Sequence, residues 1–351
     1  MRLPLIALAF LTMVMSASAD PLPPLGGMMK APEVWQAYKE AFITPGGRVI
    51  DNANGDVSHS EGQGYGMLLA VAADDRPEFE KLWNWTRAQL MLRDDGLAAW
   101  RWDPGKTPHV SDRNNATDGD ILLAWALAEA GERWSVPAYQ TASLAIASAV
   151  ASHLVADSVF GPVLLPGAAG FTGKDKPDGP VLNLSYWVFP AISRLAVLQP
   201  DHQWKVLFHS GMDLLQASRF GPARLPSDWI SIASPDPAPA KGFAPTFGYD
   251  AIRIPLYLAW AGATRKGGLA PFARLWQDAA APPQKIDVLT GDAVEVMGDS
   301  GYRAIAALVA CARDGTKLPS DVLATTVDRY YPTTLRLLVL VAARQRYPQC
   351  L

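Results

Sequence analysis

The sequence predicts an all-α fold, an (α/α)6 barrel of six inner and six outer helices. Twelve stretches repeat apolar residues with the 3.6-residue period of a helix, and almost none alternates as a strand does. The helices form pairs joined by short links, and longer segments rich in Gly and Pro separate one pair from the next. Six such hairpins can close into two concentric rings around one core.

The predicted helices occur in this order: 32–44, 61–73, 76–92, 118–131, 136–154, 185–198, 202–218, 249–263, 269–281, 299–313, 320–329 and 331–346. Several ends carry residues that cap helices: Thr117-Asp118 and Ser300 at N-termini, and Gly131 at a C-terminus. Pro77 stands in the first turn of the third helix, where its missing N–H costs nothing.

Inner and outer helices should differ in how much of their surface is apolar. The helices that begin near 61, 118, 185, 249 and 299 are apolar on nearly all sides, as inner helices must be. Those at 76 and 202 are amphipathic, which is typical of an outer ring. The long segments between the pairs should gather at one end of the barrel and carry its function.

Composition excludes several classes of protein. The chain has 351 residues, of which 49% are hydrophobic, and only two are cysteine, which argues against a disordered chain and a disulfide framework. A net charge of −3 without any Lys/Arg-rich run argues against nucleic acid as a partner. No domain boundary is evident, so we predict that residues 20–351 form one domain.

The N-terminus predicts export. Residues 1–19 have a basic Arg2, an apolar core over 3–15 and a small-residue site at Ala17-Ser18-Ala19, which together are typical of a cleaved signal peptide. No later apolar run is long enough for a membrane anchor. Cys311 and Cys350 either pair in an oxidising compartment or remain thiols, and their positions leave both possibilities open.

Carboxylates stand at the start of three predicted inner helices: Glu61 in Ser60–Gly66, Asp118 in Ala116–Asp120, and Asp250 in Tyr249–Arg253. Each one alone is more typical of a helix cap. Three carboxylates at one rim instead indicate that they line one cleft. Mutual repulsion and burial there raise the pKa of at least one carboxyl, as a general acid requires.

Other chemistries lack their motifs. The five histidines show no metal-ligand spacing, the segment 170–175 lacks the complete phosphate-loop pattern, and no GxSxG occurs. We therefore expect chemistry that uses neither a metal nor a cofactor.

The segments SEGQGYGM at 60–67, ATDGDILLAWALAEAGERW at 116–134 and YDAIR at 249–253 together resemble glycoside hydrolase family 8. The resemblance is strongest to secreted endo-β-1,4-glucanases associated with bacterial cellulose synthesis, and it covers nearly the whole mature chain. It implies an (α/α)6 barrel and hydrolysis with inversion at the anomeric carbon. Leu123 and Ala128 depart from the family's usual choices, at packing positions.

The resemblance also implies the roles of the three acids. Glu61 matches the general acid, Asp250 the general base, and Asp118 a third acid that holds the sugar at the cleavage subsite. An inverting pair stands about 6.5–9.5 Å apart to admit a water. Arg253, one helical turn after Asp250, should pair with that base and keep it ionised, whereas Asp120 should be structural.

Aromatic side chains are the expected glucan contacts, because the apolar faces of a β-glucan stack on flat rings. Predicted substrate-binding residues are Trp100, Trp102 and Trp229 on loops, Tyr186 and Tyr302 at the rim, and Arg253. Tryptophans within helical stripes should pack in the core: Trp83, Trp85, Trp125, Trp204, Trp260 and Trp276.

The sequence thus predicts a periplasmic or secreted endo-β-1,4-glucanase that acts on a β-1,4-glucan chain. Its association with cellulose synthase export machinery is implied by the resemblance alone. The alternatives are an inverting hydrolase of another β-1,4-glycan, such as xylan or chitosan, and a non-catalytic glycan-binding subunit.

Overall fold

The computed structural model describes residues 22–263, 267–277 and 281–351. The predicted signal peptide, 1–19, lies outside the described residues. Within them, each of the twelve predicted stretches contains an α-helix. The helices are α1 (Pro32–Phe42), α2 (Ser60–Ala72), α3 (Arg76–Gln89), α4 (Thr117–Arg133), α5 (Pro137–His153), α6 (Phe189–Leu198), α7 (Trp204–Ala217), α8 (Arg253–Ala261), α9 (Ala270–Leu275), α10 (Ser300–Asp314), α11 (Ser320–Leu323) and α12 (Tyr330–Arg346).

The even-numbered helices form a closed inner ring. Each of them packs against the next along the chain, from α2 to α12, and α12 returns to α2. The odd-numbered helices lie outside, with α3, α5 and α7 each packed on the inner helix that precedes it and α1 packed on α12. This arrangement confirms the predicted (α/α)6 barrel.

Burial follows ring position, with one difference from the prediction. All residues of α8 are buried, as are nearly all of α2 and α4, because outer helices or loops cover every side. α10 is buried on one face only. Its outer partner α11 is a single turn at Ser320–Leu323, shorter than the predicted 320–329. Arg303 and Arg313 of α10 are exposed, and Arg303 pairs with Asp321 of α11 at 2.9 Å.

Short strands in the long segments were not predicted. Ten occur in the described residues: β1 (Ser58–His59), β2 (Arg101–Trp102), β3 (Val155–Ser158), β4 (Gly161–Leu164), β5 (Val181–Leu182), β6 (Ile230–Ser231), β7 (Ala238–Pro239), β8 (Thr246–Phe247), β9 (Gln284–Asp287) and β10 (Ala293–Val296). Strands of two to four residues are too short to show an alternating pattern.

These strands hold the loops at the mouth of the barrel. β1 pairs with β2 in antiparallel register, with Ser58 opposite Trp102 and His59 opposite Arg101. β9 lies between β8 and β10, and β5–β6–β7 form a second three-stranded sheet. β1 and β8 lead directly into the segments that carry Glu61 and Asp250, so the pairing positions both acids.

The C-terminus is fastened to the barrel. Cys311 of α10 and Cys350 form a disulfide, which resolves the alternative left open by the sequence. No helix in the described part of the chain combines the length and the apolar character needed to cross a bilayer.

Candidate active site

The three predicted acids meet at one end of the barrel. Glu61 lies in the first turn of α2 and Asp118 in the first turn of α4. Asp250 precedes α8, which begins only at Arg253, and therefore lies on a turn rather than on the predicted helix 249–263. Because α2, α4 and α8 are all inner helices that start at the same rim, their first residues surround one cleft.

Close packing of α2 against α4 brings Glu61 near Asp118. A Cβ atom on Gly119 would lie 2.1 Å from Ser60 Oγ and 2.8 Å from the backbone nitrogen of Glu61. A Cβ on Gly64 would lie 2.6 Å from Leu122 Cβ. Real Cβ atoms do not approach so closely, so these positions need glycine for the two helices to touch.

Arg253 lies at the centre of the three carboxylates. Its Nη1 donates to Glu61 Oε1 and, at 2.9 Å, to Asp118 Oδ2. Its Nη2 lies 2.9 Å from Asp250 Oδ1. The guanidinium is only 3% exposed. Its predicted contact with Asp250 is present, but it is shared with the other two acids, and the expectation that it keeps Asp250 ionised is wrong, because burial raises the pKa of that carboxyl instead of the cation lowering it.

One cation cannot neutralise three anions in a buried place. Burial, and after it the charges of Asp250 and Asp120, raise the pKa of Asp118 to about 8, although the backbone N–H of Gly119 donates to its Oδ1 at 2.8 Å. Burial and the charge of Asp228 raise the pKa of Asp250 to about 7. The cluster therefore holds protons near neutral pH, where free carboxyl groups are ionised.

Water still reaches the two predicted catalytic carboxyls. The side chain of Asp250 is 34% exposed and that of Glu61 is 19% exposed, against 3% for Asp118. Asp250 and Glu61 thus face the cleft, whereas Asp118 lies beneath them.

A pair of buried phenols supports Glu61. Tyr65 donates to Glu61 Oε1 at 3.2 Å, and its hydroxyl also bonds that of Tyr257. Burial raises the pKa of Tyr65 well above its ordinary value, so the phenol keeps its proton and remains a donor.

Asp228 is a site residue that sequence reasoning missed. It accepts hydrogen bonds from Gly248 N at 3.0 Å, Ala251 N at 2.7 Å and Thr246 Oγ1 at 3.0 Å. These bonds fix the turn that carries Asp250. Asp228 stands in the PSDWI segment at 226–230, yet nothing in one sequence shows that its partners are a hydroxyl and two backbone N–H groups 18–23 residues later.

Two of the predicted tryptophans lie at the β1–β2 rim, next to Glu61. Trp100 is half-buried, stacks on His59 at 6.2 Å, and donates to Asp112 at 2.8 Å. Trp102 is half-buried, with the Arg48 guanidinium 4.7 Å from its ring centre. Both lie on the loop side of the barrel, and both have close neighbours: the Arg101 guanidinium lies 5.7 Å from the ring centre of Trp100, and His109 lies 4.2 Å from Trp102 between ring centres.

The other predicted binding residues occupy different surroundings. Both faces of Trp229 are covered, by Phe171 at 5.6 Å and Phe243 at 4.7 Å, so this residue offers its edge rather than the expected stacking face. Tyr186 is half-buried, 5.7 Å from the Arg253 guanidinium. Tyr302 is only 5% exposed and packs behind Tyr249 rather than at the rim.

The helical tryptophans pack mostly as predicted. Four of them are buried, Trp83, Trp125, Trp204 and Trp260, while Trp85 and Trp276 are only partly buried. Within the described ranges, no group of three or more His, Cys, Asp and Glu side chains has an arrangement that could hold a metal ion.

Comparison with known proteins agrees with this architecture. The profile of Glycosyl hydrolases family 8 matches residues 4–345. A probable endoglucanase of Novacetimonas hansenii is 40% identical over 333 residues, 93% of each chain. The structure of endo-β-1,4-glucanase CMCax from Acetobacter xylinum is 38% identical, with a TM-score of 0.83 over 92% of this chain and 99% of that one.

A more distant structure shares only the fold. A reducing-end-xylose releasing exo-oligoxylanase is 16% identical, with a TM-score of 0.72 over 90% of this chain and 92% of the other. The profile match over almost the whole sequence, the 40% identity and the acids at the mouth of an (α/α)6 barrel lead to one conclusion. This chain belongs to glycosyl hydrolase family 8.

Proposed function

We propose that this glycosyl hydrolase is an exported endo-β-1,4-glucanase that cleaves with inversion, with Glu61 as general acid and Asp250 as general base. The observation that carries the proposal is the position of the two carboxylates. α2 and α8 stand three places apart in a six-membered inner ring, so Glu61 in the first turn of α2 and Asp250 on the turn just before α8 lie on opposite sides of the mouth. The acid and the base therefore approach a bound glucan from opposite sides.

The reaction needs two proton transfers. Glu61 donates its proton to the glycosidic oxygen as the bond from that oxygen to the anomeric carbon breaks. Water attacks the same carbon from the opposite face and gives a proton to Asp250, and both carboxyls return to their starting states by exchange with solvent. Arg253 stands between the pair, so the two carboxylates do not touch. Inverting enzymes keep their pair about 6.5–9.5 Å apart.

Asp118 is the sugar-holding acid in this proposal. Its side chain is buried beneath the cleft and fixed by Gly119 N and Arg253. At neutral pH its raised pKa leaves it with a proton, so it can donate to a sugar oxygen as well as accept from a hydroxyl.

Glucan binding rests on the rim residues. The rings of Trp100 and Trp102 stand beside the strand that leads into Glu61, and flat rings suit the apolar faces of a β-1,4-glucan. Relatives named endoglucanase support glucan over the alternatives, xylan and chitosan. Asp112 accepts a hydrogen bond from the indole N–H of Trp100, and the Arg48 guanidinium lies over the ring of Trp102, so the proposed rim carries charged groups beside its rings.

The cell compartment belongs to the same proposal. The signal peptide predicted at 1–19 and the disulfide between Cys311 and Cys350 support export to the periplasm or beyond. Resemblance to secreted endoglucanases associated with cellulose synthesis supports action beside cellulose synthase export machinery, on the nascent glucan.

The test of inversion is to identify which anomer of the product forms first. NMR of a fresh hydrolysate of soluble cellulose should show the α-anomer before mutarotation, because attack opposite a β-linked leaving group inverts the centre. A β-anomer formed first would overturn Asp250 as base. Parallel assays of reducing-sugar release from xylan and chitosan should be weaker than from cellulose. A preference for either would replace glucan as the substrate.

A further inference from the structure

Asn183 is a fully buried amide beside the catalytic cluster. It directly precedes the 3-10 turn Leu184–Tyr186 and is 0% exposed. Its Oδ1 accepts from Ser185 N at 3.1 Å and from Ser185 Oγ at 2.6 Å. A carbonyl oxygen has two lone pairs, so Ser185 occupies both. The orientation of the amide is therefore determined, and its NH2 group must point away from Ser185.

The direction of the neighbouring bonds is also determined. Arg253 Nη2 donates to Ser185 Oγ at 2.8 Å, and a guanidinium cannot accept. The single hydroxyl proton of Ser185 is thus committed to Asn183. The same Nη2 donates to Asp250 Oδ1 at 2.9 Å. A continuous chain of hydrogen bonds links Asn183 to the carboxylate of Asp250.

The NH2 group of Asn183 has no partner among the described residues that satisfies hydrogen-bond geometry. Buried donors are rarely left unpaired, because the lost hydration is costly. Ser185 and Arg253 connect this amide to Asp250 Oδ1 through consecutive hydrogen bonds, and the Asn183 amide and the Trp229 indole both lower the pKa of Asp250 against the larger raising effect of burial. An unpaired donor beside a catalytic carboxylate can form a hydrogen bond with it after a small movement. Catalytic hydrogen bonds commonly shorten when substrate binds.

We propose that Asn183 is a positioning residue for the general base, whose Nδ2 donates to the Asp250 carboxylate in the substrate complex. This inference rests on the assignment of Asp250 as base in the proposed function. Arg253 holds the carboxylate from one side and Asn183 from another, which fixes its plane and directs a lone pair at the attacking water. Asn183 acts through Asp250 and touches no substrate.

A neutral donor suits this place because the surroundings are already acidic. Charged or titratable side chains interact with Asp250 from α4, the turn before α6, the loop before β6, α8 and α12: Asp118, Tyr186, Asp228, Arg253 and Tyr331. Glu61 of α2 shares the Arg253 guanidinium with it. Among them, only Arg253 is a cation. Removing the donor of Asn183 should therefore raise the pKa of Asp250, because the charged form loses a hydrogen bond.

The test combines Asn183→Ala with a matched control. In Asn183→Ala we expect kcat to fall roughly 10- to 100-fold, with KM changed less than about threefold. The acid limb of the kcat/KM profile should move up by about one pH unit, the scale of one lost hydrogen bond to a charged group. The control is Asn115→Ala, which removes an equally buried amide that donates to Asp120 at 2.9 Å. It should lower thermal stability and leave the acid limb in place.

The turnover of Asp250→Asn is measured alongside, to test the role of Asp250 as base separately from the role of Asn183. Retained turnover in Asp250→Asn overturns the base assignment itself. An inactive Asp250→Asn together with wild-type kcat and acid limb in Asn183→Ala overturns only the role of Asn183. If Asn183→Ala fails to fold, Asn183→Asp replaces it, since this isostere keeps the oxygen that Ser185 binds and loses the donor. Its acid limb should move up further, and an unmoved limb overturns the proposal.

Discussion

Gly119→Ala is predicted to lower both stability and activity, although alanine is the better helix former. In an open helix the change would gain up to about 1 kcal/mol. Here the new Cβ would meet Ser60 Oγ at 2.1 Å, Ser60 Cβ at 2.7 Å and Glu61 N at 2.8 Å. Two of these atoms cannot rotate away. Overpacking of this kind costs about 1–3 kcal/mol, so the clash should outweigh the gain in helix propensity.

The effect on activity follows from where the clash lies. To relieve it, the first turns of α2 and α4 must move apart, and these turns carry Glu61 and Asp118. A displacement of about 1 Å at reacting groups costs roughly 100-fold in rate. We expect kcat/KM on soluble cellulose to fall by about that factor. With the gain in helix propensity subtracted, a net loss of up to about 2 kcal/mol remains, so the melting temperature should fall by up to about 8 °C, at about 2–4 °C per kcal/mol.

Two further variants isolate the cause. Gly64→Ala tests the same helix interface deeper in the barrel, where the new Cβ would meet Leu122 Cβ at 2.6 Å. It should lower the melting temperature with a smaller loss of kcat/KM. Adding Ser60→Gly to Gly119→Ala removes two of the three close contacts. The double variant should regain part of the lost melting temperature and part of the lost kcat/KM. Wild-type stability and activity in Gly119→Ala would refute the reasoning.

Three other predictions concern the acids and the platform. Glu61→Gln keeps the shape of the side chain but cannot donate a proton, so kcat should fall at least ~10²–10⁴-fold, and retention of a tenth of wild-type activity would remove Glu61 as the acid. Because the pKa of Asp118 is raised to about 8 when folded, the native state holds a proton that the unfolded chain releases above about pH 4. The free energy of unfolding should therefore fall as pH rises from 4 to 8. Asp118→Asn should flatten that slope in denaturant titrations at several pH values, and an equal slope would contradict the raised pKa. Asp250→Asn should abolish turnover while keeping cellopentaose affinity, whereas Trp102→Ala should weaken binding by about 1–3 kcal/mol with a smaller effect on kcat. Calorimetric titration with cellopentaose and turnover assays on the same sugar measure both variants. Unchanged affinity in Trp102→Ala would show that this ring does not contact the glucan.

The helices and the three acids could be predicted from the sequence because both signals are local. Apolar periodicity depends on residues that are close together in the sequence. It located the twelve helical stretches to within a few residues, except that α9 and α11 are shorter than predicted. Glu61, Asp118 and Asp250 were recognisable because each stands at the start of an apolar stretch. Because the helical hairpins close into one ring, the N-termini of the inner helices must lie at the same end of the barrel.

Only the tertiary structure showed which groups meet. Arg253 was expected to pair with Asp250 one turn earlier, but it also reaches Glu61 and Asp118, 192 and 135 residues away. Asp228 likewise binds the turn before α8. Contacts between distant segments leave no periodic trace in one sequence, because they depend on how the ring closes and not on neighbouring residues.

The aromatic residues show the same division. Composition and loop position marked Trp100, Trp102 and Trp229 as candidate platforms. The sequence could not show that Phe171 and Phe243, on separate loops, cover both faces of Trp229. A ring's exposed face is a property of its three-dimensional surroundings. The sequence therefore predicted the fold and three carboxylates at one rim, and tertiary packing decided which side chains contact those carboxylates and which ring faces are covered.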